Sequence, residues 1–211
     1  MADLTGMACD VGPGTFTGLR LGLSTVRALA WSLQVPVLGA TSLSILAAEL
    51  HAIAGQPVVV ALPARMGVAY VAVAWDREHA VNLEHAVDLE NAVDLENAVD
   101  LAAALVADAD AATFFATRLG ASATPLAVAG SALLPGTALR KALDAAVPAA
   151  ARVEVSVCEP QARCLLEIAW RARAADWSDA LTLAPSYLAA SEAEVHRGFV
   201  VEQAALGAER R

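Results

Sequence analysis

The sequence predicts an α/β fold in which short buried strands alternate with longer helices. Short β-branched runs bounded by turn residues, such as VVVAL at residues 58–62, are typical of buried strands. Other segments repeat apolar residues at helical spacing, and residues 16–33 do so most clearly. A chain of 211 residues that alternates in this way can form one domain or two small lobes around a sheet covered by helices.

The first predicted helix has the strongest pattern in the chain. Its apolar stripe consists of Phe16, Leu19, Leu23, Val26, Ala30 and Leu33. Pro36 ends it. A strand over residues 7–11 precedes this helix. The later elements are predicted in this order: a strand at 36–40, a helix at about 42–54, a hairpin of strands at 58–62 and 68–75, a helix near 101–119, a strand at 126–130, a helix near 136–146, a strand near 153–157 and a helix near 160–174.

The charge of the chain is concentrated in one segment. The formal net charge is −9, and residues 78–101 hold four Glu and three Asp without Lys or Arg, so the rest of the chain carries only −2. Neither part has the basic surface of a free-standing nucleic-acid binder.

The sequence shows no signal peptide and no apolar run long enough for a membrane helix, and its three cysteines are scattered. These features indicate a cytoplasmic protein with reduced thiols.

The acidic segment is a tandem repeat of six residues: EHAVNL, EHAVDL, ENAVDL and ENAVDL. Four hexads are too few to bury a core of their own as a β-solenoid. We therefore interpret residues 78–101 as an insert that enlarges a surface loop or extends the start of a helix, and we assign it no chemistry.

The glycine-rich segment GPGTFTGLR, residues 12–20, invites a phosphate-loop interpretation. It lacks the Lys of a P-loop, and Gly12, Gly14 and Gly18 do not have the spacing of a dinucleotide fingerprint. Gly18 and Gly22 lie four residues apart on one helix face, where small residues let another backbone approach. A packing or interface role is favoured, with an anion site at the helix N-terminus and a plain core role as the alternatives.

Several motifs together resemble one family. GPGTFTGLRLGLSTVRALAWSLQVPVLGATSLSILA resembles the signature segment of the threonylcarbamoyladenosine biosynthesis protein TsaB family, also called YeaZ or glycoprotease-like. ALPARMGVAYVAVAW, LAVAGSALL, EPQARCLLEIAW and LAPSYLAASEAE resemble later segments of that family in the same order. The resemblance implies a two-lobe actin-like ATPase fold. It divides the chain into a first-lobe remnant at 1–56, a second lobe at 57–190 and a polar tail at 191–211.

The chain also departs from the family pattern. Pro63, Val68 and Ala189 stand where the family has Asp, Glu and Arg. Family members have further strands and a helix before the signature segment, whereas this chain starts just before Gly12. We therefore expect an N-terminally truncated chain with an incomplete first lobe and an exposed sheet edge.

The resemblance implies a partner role without catalysis. The catalytic paralogue TsaD carries N-H-x-E-G-H, whose two His bind a metal, and Ser42 and Leu46 stand at the two His positions here. No catalytic residue, metal or cofactor is therefore predicted. His79 and His85 lie in the repeat and are expected to be solvated, as are His51 and His196.

The implied function is a subunit that supports TsaD in tRNA threonylcarbamoyladenosine (t6A) formation, working with the ATPase TsaE. Contact with tRNA would be indirect, no membrane would be involved, and a homodimer is the alternative assembly. The candidate interface consists of Phe16, Leu19, Arg20, Leu23, Arg27, Leu43 and Ala47, with Gly12, Gly14, Gly18 and Gly22 as close-packing glycines. The alternatives are a glycoprotease or ATP-dependent enzyme, and a non-functional fragment.

Overall fold

The computed structural model of the chain describes residues 4–54, 57–74, 104–119 and 125–186. The hexapeptide repeat and the polar tail lie outside these residues, as do the side chains of all four histidines. The expectations for them stay predictions.

The described elements alternate as the sequence predicts. In chain order they are β1 Met7–Asp10, α1 Phe16–Leu33, β2 Val37–Ala40, α2 Ser42–Ala54, β3 Val58–Arg65, β4 Val68–Ala74, β5 Ala104–Ala107, α3 Ala111–Leu119, β6 Leu126–Ala129, α4 Ala138–Ala146, β7 Arg152–Glu154 and α5 Ala162–Arg171.

The strands form two sheets. β1 and β2 pair in parallel, with Met7 opposite Val37 and Asp10 opposite Ala40. The second sheet has the order β5-β4-β3-β6-β7. In it β3 and β4 form the predicted antiparallel hairpin, β5 extends the hairpin, and β6 and β7 run parallel to β3.

Helix α1 has the bounds that its apolar stripe predicts. Thr15 caps its N-terminus, where the hydroxyl oxygen accepts a hydrogen bond from the backbone N–H of Gly18 at 3.3 Å. At its C-terminus Gln34 adopts the left-handed conformation with φ 54°, and its N–H reaches the last carbonyls of the helix. Both ends are therefore determined by local sequence.

The predicted helix over 101–119 is wrong in its first half. Ala104–Ala107 form strand β5, in which Val106 pairs with Ala69 of β4, and the helix begins only at Ala111. Alanine favours a helix, but the edge of β4 offers a full row of backbone hydrogen bonds. Pairing with β4 therefore overrides the local preference of this short run.

Helices cover both faces of the five-stranded sheet. On one face Val59, Val71 and Val128 pack with residues of α3 and α4 such as Phe115 and Leu143. On the other face α2 supplies Leu43, Leu46, Ala47 and Leu50. The two-stranded sheet packs against α1 through Cys9, Val11 and Leu23, and against α5 through Leu38 and Ile168. Helix α2 also joins this last cluster through Ile45, so it contacts the cores of both sheets.

Gly130 allows β6 and β3 to lie close together after β6 ends. Its φ is +111°, and a Cβ atom there would overlap the backbone carbonyl of Ala61. We expect Gly130→Ala to lower the free energy of unfolding by at least about 2 kcal/mol, because backbone strain and steric overlap combine. Gly136 is a matched control, since its φ is +95° but a Cβ there meets open space. Gly136→Ala should lower the free energy of unfolding by only about 1 kcal/mol. Urea unfolding measures both variants, and an equal loss of unfolding free energy in the two would show that the close approach of Gly130 to Ala61 is unimportant.

Candidate functional site

The glycine turn between β1 and α1 is bound to the start of α2. The backbone N–H of Gly12 donates to Asp10 Oδ1 at 2.8 Å. The hydroxyl oxygen of Ser42 lies 2.8 and 2.9 Å from the two oxygens of Asp10 and 2.9 Å from the carbonyl oxygen of Pro13. The N–H of Ser42 donates to the carbonyl of Gly12 at 2.8 Å. This network fixes where α1 leaves the sheet.

The network also weighs against an anion site at the turn. The Asp10 carboxylate already occupies the Gly12 N–H and places a negative charge beside the helix start. Burial raises the pKa of Asp10, and its hydrogen bonds with Gly12 and Ser42 offset that rise only in part. The phosphate-loop interpretation therefore gains no support from the geometry.

Helix α1 turns an apolar face to solvent. Leu21 is 68% exposed and Trp31 is 67% exposed, and Phe16 and Leu29 are also exposed. The guanidinium carbon of Arg20 lies 3.7 Å from the centroid of the Phe16 ring, in a cation–π contact. We call the solvent-exposed side of the helix the α1 face. At 100° per residue it has two flanks, one with Phe16, Arg20 and Trp31 and the other with Gly18, Gly22 and Leu29, and Leu21 lies between them.

The glycines of the signature segment divide into two pairs. Gly12 and Gly14 lie against the side chain of Leu19 and form part of the turn. At Gly18 an added Cβ would meet only the hydroxyl of its own N-cap, Thr15, and at Gly22 it would meet open space. Within the described residues the Gly18–Gly22 strip is therefore uncovered.

The predicted interface residues do not all lie on one surface. Phe16 and Arg20 are exposed on the α1 face. Leu19 is half-buried, Leu23 is buried, and Arg27 donates to the carbonyl of Leu181 at 2.9 Å.

The two predicted members on α2, Leu43 and Ala47, are fully buried against the five-stranded sheet, so their side chains are not available to a partner in this conformation. Sequence reasoning missed Leu21, which lies about one helical turn after Gly18.

Positions 42 and 46 of α2 are both buried. Ser42 faces Asp10, and Leu46 packs in the core against the five-stranded sheet. Among the residues that the structure describes, no three His, Cys, Asp or Glu side chains are grouped so that they could hold a metal ion. In the same part of the chain, no helix combines the length and the apolar character that a membrane crossing requires.

Comparison with protein families gives a match over nearly the whole chain. The family described as "TsaD: tRNA N6-adenosine threonylcarbamoyltransferase" matches residues 1–196. The chain belongs to this family.

The curated relatives of this chain agree with the resemblance to TsaB/YeaZ proteins. Three are named "tRNA threonylcarbamoyladenosine biosynthesis protein TsaB". The Buchnera aphidicola protein is 35% identical over 71 residues, which is 33% of this chain and 34% of the relative. The Bacillus subtilis protein is 43% identical over 47 residues, 22% of this chain and 20% of the relative. The Escherichia coli protein is 34% identical over 73 residues, 34% of this chain and 32% of the relative. The matches thus span at most about a third of those relatives.

Two solved structures from Pseudomonas aeruginosa share the fold. One is described as an uncharacterized protein with similarity to peptidase YEAZ, with a TM-score of 0.61 and 22% identity, covering 89% of this chain and 75% of that one. The other is YeaZ, with a TM-score of 0.56 and 21% identity, covering 87% and 74%. This likeness confirms the expected actin-like α/β fold.

The Asp10 network predicts an unusual pH dependence. Because the folded-state pKa of Asp10 is raised, its contribution favours folding at low pH and is lost as pH rises from about 4 through the folded pKa. The melting temperature of the native chain should therefore fall relative to that of Asp10→Asn over this rise in pH.

Asp144 provides the opposite case. Hydrogen bonds from Arg152 and Arg140 lower its pKa, so its contribution to stability is present above pH about 4, and the native chain should lose stability relative to Asp144→Asn as pH falls from there through the folded pKa. Thermal melts of the two variants with slopes of the same sign would contradict the assignment for Asp10.

Proposed function

We propose that the chain is a non-catalytic partner subunit in tRNA threonylcarbamoyladenosine (t6A) biosynthesis, and that it binds the TsaD transferase through the α1 face. The observation that carries this proposal is the set of large apolar side chains that α1 exposes to solvent, among them Leu21 and Trp31. Large apolar residues grouped on an exposed surface are typical of an interface, and Leu29 lies on the same flank of α1 as the Gly18–Gly22 strip.

The composition of the α1 face supports this role. Interface hot spots are enriched in Trp, Tyr and Arg, and the α1 face presents Trp31 and Arg20 together with Phe16 and Leu21. The Arg20–Phe16 contact holds a cation over an aromatic ring in the first turns of the helix. A partner could desolvate this contact and strengthen it.

The names of the relatives supply the biological setting. The curated relatives are TsaB biosynthesis proteins for t6A, and the family is named for the TsaD transferase. In the proposed assembly TsaD carries the transfer, TsaE takes part as the ATPase, and tRNA is contacted only through the complex. We place the assembly in the cytoplasm, with a homodimer through the α1 face as the competing state in the absence of TsaD.

A transferase role for the chain itself is the second candidate, because the matching family is named as a transferase. That role requires bound metal or nucleotide. Calorimetric titration of the purified chain with Zn²⁺, Fe²⁺ and ATP separates the two candidates. Stoichiometric binding would overturn the non-catalytic proposal, and absence of heat together with binding to TsaD would support it.

The α1 face can be tested with a charge on its most exposed leucine. Leu21→Asp should weaken binding to TsaD from the same genome by about tenfold or more, because a carboxylate would be desolvated in the interface. Leu166 on α5 is a matched control, since both leucines are 68% exposed. Leu166→Asp should leave the dissociation constant unchanged, and equal affinities for the two variants in calorimetry would contradict the proposed surface.

Gly22 offers a test in which stability and binding move in opposite directions. Since a Cβ at Gly22 meets open space in the free chain, Gly22→Ala should raise the free energy of unfolding by about 0.5–1 kcal/mol. If a TsaD backbone packs on the glycine strip, the same methyl group should weaken the complex. Urea unfolding and calorimetry on one preparation measure both effects. Tighter or unchanged binding would show that no backbone approaches Gly22.

A further inference from the structure

A buried ion pair joins helix α2 to helix α5. Glu49 on α2 is only 2% exposed, and its Oε1 is paired with Nη2 of Arg163 on α5. Its other carboxylate oxygen, Oε2, has no hydrogen-bond partner among the described residues. The Arg163 side chain is 71% exposed, so one end of the pair is buried and the other is open to solvent.

A gain in stability does not explain why the Glu49 carboxylate is buried. It is the one residue among Asp, Glu, Lys and Arg in the α2 segment SLSILAAELHAIA. A carboxylate with an unfilled acceptor costs free energy when it is buried, and an apolar side chain of similar volume is often neutral or stabilising at such a position. Ion pairs of this kind are instead suited to selecting one arrangement of two packed elements, because any other arrangement leaves the charge unpaired.

The position of the pair shows which arrangement it selects. Helix α2 packs on the five-stranded sheet through Leu43 and Leu46. Helix α5 packs under the two-stranded sheet through Cys164 and Ile168, which meet Leu38 of β2. Ile45 of α2 joins this second cluster, so Glu49 and Arg163 form a polar contact within a packed interface between α2 and α5.

We propose that the Glu49–Arg163 pair is an electrostatic latch that fixes α5 on α2 and opens when an anion in solution competes for the exposed guanidinium. Opening loosens α5 from α2, while Ile45 and Ser42 keep α2 attached to the two-stranded sheet and the glycine turn. The competing anion would be a carboxylate or a phosphate, because the guanidinium group of arginine donates paired hydrogen bonds to the oxygens of either group. This proposal does not rest on the proposed function.

Hydrogen exchange of backbone amides, measured by mass spectrometry on the whole chain, tests the latch. In Arg163→Met the amides of α5 should exchange about tenfold or more faster than in the native chain, because Glu49 is left buried without its partner. The amides of α4, on the far face of the five-stranded sheet, should keep their rates. Arg171→Met is the matched control, since Arg171 is an exposed arginine on the same helix, and it should leave α5 unchanged.

Two further arms exclude a simple loss of stability. Adding Arg163→Met to Glu49→Leu should produce no further change in α5 exchange, because the charge that Arg163 neutralises is gone. Inorganic phosphate should speed α5 exchange in the native chain more than chloride at the same ionic strength, and should not do so in the Glu49→Leu, Arg163→Met double variant. Equal acceleration of α4 and α5 in Arg163→Met, or a phosphate effect that persists in the double variant, would overturn the latch.

Discussion

Helix α2 must satisfy two hydrophobic cores at once, and the remaining architecture depends on this constraint. Residues 42–50 are buried apart from Ala48, which is half-buried. Over residues 42–50 the helix has no solvent face for its polar side chains, so each of them requires a protein partner. Thr41 and Ser44 pair with each other at 2.7 Å, Ser42 faces Asp10, and Glu49 faces Arg163.

These polar contacts position the neighbouring elements as well as satisfying α2. The Ser42–Asp10 contact ties the glycine turn to α2 and so sets the position of α1. The Glu49–Arg163 contact does the same for α5. Because α2 is covered on both sides, α1 is left on the outside of the two-stranded sheet with its apolar residues toward solvent. The exposed α1 face thus follows from the burial of α2.

Local signals in the sequence were enough to predict most of the fold. The apolar stripe and Pro36 identify α1, and the β-branched runs identify the β3–β4 hairpin. The error at residues 104–107 has a tertiary cause, since that alanine-containing run becomes a strand only because β4 presents an edge to it. No local sequence pattern in residues 104–107 indicates that β4 has an edge available for pairing.

The candidate site was predictable only in part, because helical spacing does not tell which side of a helix the rest of the protein covers. Leu43 and Ala47 are apolar and lie four residues apart on α2, a spacing that fits either a partner interface or the core. In the structure the five-stranded sheet covers them. For α1 the same spacing leaves Leu23 inside and Leu21 outside, and the distinction depends on where β1 and β2 lie. The expected truncation and the division into lobes at residue 56 stay predictions.

The strongest physical argument for a partner role comes from how α2 uses two of its positions. In the catalytic paralogue, the two positions that correspond by resemblance to Ser42 and Leu46 carry the metal-binding histidines. In this chain Ser42 is bound to Asp10 and Leu46 packs against the five-stranded sheet, so both positions serve the fold. An imidazole pair at these positions would have to displace the contact that anchors α1 and part of the core. This use of the two positions supports the proposed partner role, in which the contact of Ser42 with Asp10 holds α1 in place and leaves its exposed side for docking.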